Sequence, residues 1–92
     1  MIKIKFFSLI RMHLGINAIE VEAASVSIYE LILKAEKLIS KKFLDQLIDE
    51  KRQILQGTMI LINGRNIVHL DGINSNVQEG DEISIFPPGG GG

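Results

Sequence analysis

The sequence predicts an α+β fold, a mixed sheet packed on one main helix. Three observations carry that expectation. Both ends of the chain alternate apolar and polar residues with period two, as half-buried strands do. Between them, apolar residues at Ile28, Leu31, Ile32, Ala35, Leu38 and Ile39 keep helical spacing. Asn63-Gly64, set between two apolar runs, is a tight hairpin turn signal. A length of 92 residues with 46% hydrophobic content suits one core.

The elements follow in order. Residues 2–10 are predicted as the first strand, with Ile2, Ile4 and Phe6 on one side and Lys3, Lys5 and Phe7 on the other. Gly15-Ile16-Asn17 carries turn residues. Ile19, Val21 and Ala23 then alternate with Glu20, Glu22 and Ala24, a second strand antiparallel to the first. Ser27-Ile28-Tyr29-Glu30 has the form of a capping box, so the helix starts near Ser27. Lys34, Lys37, Lys41 and Lys42 fall mainly off the apolar stripe and read as a solvated face. Weaker periodicity through Phe43, Leu44, Leu47 and Ile48 to Ile54 and Leu55 predicts a short second helix or an extension, ended by Gly57. Residues 59–62 are apolar on both sides, as in a central strand. Residues 67–70 are predicted as a short strand and residues 71–76 as a loop. Glu79-Gly80-Asp81 turns into the last strand, residues 82–86.

Antiparallel hairpins at each end require a parallel join between the first and last strands. By analogy this order is similar to the β-grasp, the ubiquitin-like arrangement. The expected division is a β-grasp domain over residues 1–88 and a flexible C-terminal glycine tail over residues 89–92.

The ending, Pro87-Pro88-Gly89-Gly90-Gly91-Gly92, is chemically distinctive. Proline fixes φ and favours an extended course off the last strand. Glycine lacks Cβ and passes through slots too narrow for other residues. Four such residues reach roughly 13 Å, at ~3.3 Å each. A tip of this kind places a terminal carboxylate inside another protein's active site. The plain alternative is a loose end or a leftover of cloning.

Other chemistries are excluded. With no cysteine there is no disulfide, thiolate metal site or cysteine nucleophile, which fits a cytoplasmic location. Ten basic and eleven acidic residues leave a net charge of −1 and no basic field for nucleic acid. The apolar N-terminus is interrupted by Lys3 and Lys5 and is too short for a membrane span, and it lacks the small-residue cleavage site of a signal peptide. Gly89 to Gly92 form no phosphate loop, because no helix follows them. His13 and His69 stand alone, without metal-ligand spacing. Asp45, Asp49 and Glu50 read as a solvated helix side, and the serines lack a nucleophile-elbow context. No constellation here supports self-contained catalysis, and no bound cofactor or metal is expected.

Phe7 shares parity with Lys3 and Lys5, and Phe86 with Glu82 and Ser84. Both rings are therefore predicted on the polar face, side by side at the root of the tail. An exposed aromatic pair reads as a docking patch; the simpler alternative is a ring packed under a loop or under the tail.

The start, Met1-Ile2-Lys3-Ile4-Lys5-Phe6-Phe7 with Arg11 and Gly15, and the ending, Gly80-Asp81-Glu82-Ile83-Ser84-Ile85-Phe86-Pro87-Pro88 with Gly91-Gly92, resemble the ubiquitin-like sulfur carriers. Within that MoaD/ThiS superfamily the chain looks most like the small subunits of molybdopterin synthase. The resemblance implies that an ATP-dependent activating enzyme adenylates the Gly92 carboxylate and that a sulfur donor protein converts it to a thiocarboxylate. It further implies that the large synthase subunit receives the tail through Gly89, Gly90 and Gly91, with Phe7, Arg11, Phe86, Pro87 and Pro88 binding the partner. Two departures stand out. Gly89 and Gly90 occupy places that other residues often fill, and residues 40–57 exceed what a minimal carrier needs. Thiamine carriers, tRNA-thiolation carriers and protein modifiers share much of the pattern, and a passive binding module is the rival of another class.

Overall fold

The computed structural model describes residues 1–88. The expected glycine tail, residues 89–92, lies outside the described residues. Five strands form the main sheet in the order β2-β1-β7-β4-β5. These are β1 (Ile2–Phe6), β2 (Ala18–Val21), β4 (Met59–Ile62), β5 (Arg65–Asn66) and β7 (Glu82–Phe86). β1 and β7 run parallel at the centre, with Ile4 opposite Ile83 and Phe6 opposite Ile85; their neighbours pair antiparallel. The parallel join between the first and last strands is present. A small second sheet pairs β3 (Ser25–Ser27) with β6 (Asn76–Gln78).

The main helix, α2 (Ile28–Ile39), begins where the capping box places it. The Ser27 N–H donates to Glu30 Oε1 at 3.1 Å, and the Glu30 N–H donates to Ser27 Oγ at 3.1 Å. Its stripe of Ile28, Leu31, Ile32 and Ala35 packs with Ile2, Ile4, Phe6, Ile83 and Ile85 in one core. The helix therefore covers one face of the sheet and leaves the other to residues of opposite parity. Phe6 and Phe43 meet edge to face inside the core, 5.4 Å between centroids. Beside the core, Thr58 is buried, and its Oγ1 has no hydrogen-bond partner among the described residues.

Three expectations need correction. The first strand stops at Phe6 instead of running to residue 10. Ser8 has a φ of 55° and opens helix α1 (Ser8–Leu14), which Gly15 ends at a φ of 76°. Ile10 and Leu14 are buried four residues apart, a helical spacing that period two concealed.

The predicted helix through residues 43–57 is a single 3-10 turn, Leu44–Gln46, followed by irregular chain. Local polar bonds compete with the helix here. Glu36 Oε2 accepts from the Phe43 and Leu44 N–H groups at 2.7 and 2.9 Å, and Asp49 Oδ1 accepts from those of Lys51 and Gln53. Phe43 and Leu47 still reach the core, which explains the periodicity without a helix.

The strand expected at residues 67–70 is a 3-10 turn, Ile67–His69, capped by the Asn66 side chain. Strand pairing occupies Arg65–Asn66 instead. The predicted loop at residues 71–76 contains another such turn, Gly72–Asn74.

Candidate functional site at the root of the tail

β7 is flanked by β1 on one side and β4 on the other, so its exit is held by two neighbours. Phe7 continues β1 by one residue, its N–H donating to the Ile85 carbonyl at 3.1 Å. This bond sets Phe7 beside Phe86. The two rings stack with centroids 4.4 Å apart and planes 11° from parallel. Stacked rings of this kind add about 0.5–1.5 kcal/mol beyond the area they bury. Both residues are half-buried, so each ring keeps surface open to a partner.

The stack stands on the sheet face opposite α2. Behind it on the same parity, Lys5 Nζ lies 3.1 Å from Glu82 Oε1. That ion pair is partly exposed and contributes little stability, but it fills the face next to the rings. Pro87 is buried and Pro88 half-buried. The chain is thus anchored through residue 87 before the glycines begin. Arg11 is exposed on α1 rather than at the end of a strand, the consequence of the helix that the alternation concealed. The proposed insertion residues Gly89, Gly90, Gly91 and Gly92 lie outside the described residues.

Sequence reasoning missed Met59. It is the antiparallel partner of Phe86 and remains 36% exposed, so it extends the aromatic patch across a third strand. The apolar run 59–62 looked buried on both sides, but its burial alternates. Leu9 and Met12, on α1 just after Phe7, are also exposed, at 52% and 74%. Their signal was the helical spacing of Ile10 and Leu14, which leaves residues 9 and 12 on the outer side.

Among the described residues, no three or more His, Asp or Glu side chains stand where they could hold a metal ion. No helix among them is long and apolar enough to cross a membrane.

A helix across a mixed sheet with parallel central strands is the β-grasp arrangement of ubiquitin-like proteins. Solved structures agree on the fold. A chain of the Amycolatopsis orientalis BexX/CysO complex superposes with a TM-score of 0.80 over 100% of both chains at 17% identity. Small archaeal modifier protein 1 of Methanosarcina acetivorans gives 0.65 at 29% identity, covering 99% of this chain and 95% of that one.

The chain belongs to the ThiS family, whose sequence pattern matches residues 4–92. A protein of Archaeoglobus fulgidus described as a sulfur carrier is 28% identical over 85 residues, spanning 90% of this chain and 96% of that protein. Small archaeal modifier protein 3 of Haloferax volcanii is 52% identical over a shorter stretch of 33 residues, 36% of each chain. The family groups sulfur carriers with ubiquitin-like modifiers, small carrier proteins and not catalysts.

Proposed function

We infer that this chain carries sulfur in the cytoplasm as a thiocarboxylate on Gly92 and delivers it for molybdopterin synthesis. The observation that carries the reading is the family match, which runs through residue 92 and so includes the glycine tail. A carboxylate is a poor electrophile, and activation supplies a leaving group. A carboxylate oxygen attacks the α-phosphorus of ATP, pyrophosphate leaves, and the acyl-adenylate forms. A sulfide equivalent from the donor protein attacks the acyl carbon, the C–S bond forms, and AMP departs. The product is a sulfur nucleophile on a chain that has no cysteine. ATP belongs to the activating enzyme, not to this protein.

The aromatic root supports the docking half of the proposal. With Phe7 and Phe86 against a partner surface, Pro87 and Pro88 aim the glycines into it. The large subunit of molybdopterin synthase is the receiving partner in this reading. The Phe86-Pro87-Pro88 exit and a solved likeness to a molybdopterin converting factor subunit 1 of Pyrococcus furiosus, at a TM-score of 0.63, are consistent with it.

A second reading is favoured by the 33-residue match to a small archaeal modifier protein. There a lysine amine attacks the acyl carbon of the same adenylate, an isopeptide bond forms, and AMP departs with loss of the amine's proton. The two readings share activation and differ in the acceptor. The test is intact-mass analysis after incubation with ATP, a cognate activating enzyme and sulfide, followed by addition of either the large synthase subunit with pterin precursor or a lysine-bearing protein. Exchange of one oxygen for one sulfur, discharged only by the synthase, supports the pterin route. A covalent adduct to lysine supports the modifier, and no mass change sinks both.

A further inference from the structure

Residues 33–42 carry surface charge that neither the fold nor the tail chemistry uses. Four of the ten basic residues, Lys34, Lys37, Lys41 and Lys42, stand in this segment, and all are exposed. Positions 34, 37 and 38 share one face of α2 by spacing, and Lys41 and Lys42 follow just beyond its end. Leu38 and Leu33 sit among the lysines with 60% and 37% of their surface open.

The arrangement is held in place. Ser40 adopts a φ of 64° and turns the chain back at the end of α2. Lys41 Nζ then donates to the His13 carbonyl at 3.1 Å, and His13 Nε2 lies 3.3 Å from the Lys42 carbonyl. None of the four ammonium groups has a carboxylate within ion-pair distance among the described residues. Glu36, the acid within the segment, directs Oε2 to the Phe43 and Leu44 N–H groups. Leu33, Glu36, Lys37, Ser40, Lys41 and Lys42 line a shallow groove of about 440 Å³ here.

We propose that this face docks an acidic, leucine-bearing segment of a partner protein. Carboxylates complement the lysines, and an apolar side chain packs against Leu33, which lines the groove with Lys37, Lys41 and Lys42. A long phosphate-rich surface fits less well. The adjoining groove interleaves Asp45, Asp49 and Glu50 with Lys42, Lys51 and Arg52, so the positive field does not extend beyond the short lysine segment. The net charge of −1 opposes such a surface too. α2 and the stacked rings lie on opposite faces of the sheet, so a protein held here leaves the root of the tail free. The carrier can be gripped by one partner while it discharges into another.

The experiment uses the whole chain and, as probe, a synthetic amphipathic peptide with leucines and glutamates at helical spacing. Amide shifts are followed by NMR during titration. Saturable shifts are expected at Leu33, Lys34, Lys37, Leu38 and Lys41 and not at Phe7 or Phe86, and they should weaken with salt. Lys34→Glu with Lys37→Glu should weaken binding about tenfold, because each exposed pair contributes only a few tenths to one kcal/mol and becomes a repulsion. A peptide with lysines in place of the glutamates should recover binding to that variant, whose fold is checked by circular dichroism. Absence of saturable binding, shifts centred on the ring stack, failure of the charge swap, or tighter binding to anionic vesicles or single-stranded DNA than to the peptide would overturn the proposal.

Discussion

Consider Phe86 cut back to alanine. Its ring rests on Phe7 at 4.4 Å and is half-buried, whereas Phe43 is fully buried and meets Phe6 at 5.4 Å. Truncating a fully buried phenylalanine costs about 3–5 kcal/mol. For Phe86, about half the apolar burial and one stacking contact are lost, so about 1.5–2.5 kcal/mol is expected. Docking adds a second cost. If the ring becomes fully buried against a partner, its removal should weaken the complex by about 2 kcal/mol or more, roughly thirtyfold in Kd. The assays are chemical denaturation of Phe86→Ala and Phe43→Ala, and calorimetric titration of the folded Phe86→Ala chain with a cognate activating enzyme or large subunit. A cycle with Phe7→Ala should return a coupling near 1 kcal/mol between the rings. The reasoning fails if Phe86→Ala is as destabilising as Phe43→Ala. It fails equally if the variant binds its partner with unchanged affinity.

Deleting Gly91 and Gly92 should abolish thiocarboxylate formation in the mass assay while leaving the melting temperature unchanged, since the carboxylate retreats by roughly 7 Å at ~3.3 Å per residue; a truncated chain that still gains sulfur at a normal rate would contradict the Gly92 assignment. Gly91→Val should leave a carboxylate in place but slow activation, because its Cβ obstructs a slot that fits glycine; an undiminished rate would show that access is not limiting. Thr58→Val should raise stability by about 0.5–1 kcal/mol, because it removes a buried hydroxyl with no partner among the described residues; a lower denaturation midpoint would show that Oγ1 is satisfied. Glu36→Ala should free the Phe43 and Leu44 N–H groups, cost about 1–3 kcal/mol, and speed their hydrogen exchange well before that of the β1 amides; unchanged protection at Phe43 and Leu44 would remove Glu36 from its role in shaping the loop.

The sequence by itself determined the parts whose causes are local. The capping box at Ser27 and Glu30 starts α2 within two adjacent turns of chain, and the same bonds form in the fold. Parity along β1 and β7 assigned Phe7 and Phe86 to one face, because a strand alternates whatever it pairs with. Tertiary structure decided the rest. Ile2, Ile4, Phe6 and Ile10 keep period two in the sequence, yet the chain bends at Ser8 so that Ile10 and Leu14 can enter the core from a helix. Residues 43–55 carry helix-like periodicity, but Glu36, seven and eight residues earlier, holds the amides of Phe43 and Leu44 that a helix would bond elsewhere. Met59 joined the aromatic patch only through its pairing with Phe86, 27 residues away. A pattern of spacing records which side chains seek burial. Which backbone shape buries them depends on partners distant in the chain, and those contacts exist only once the sheet has formed.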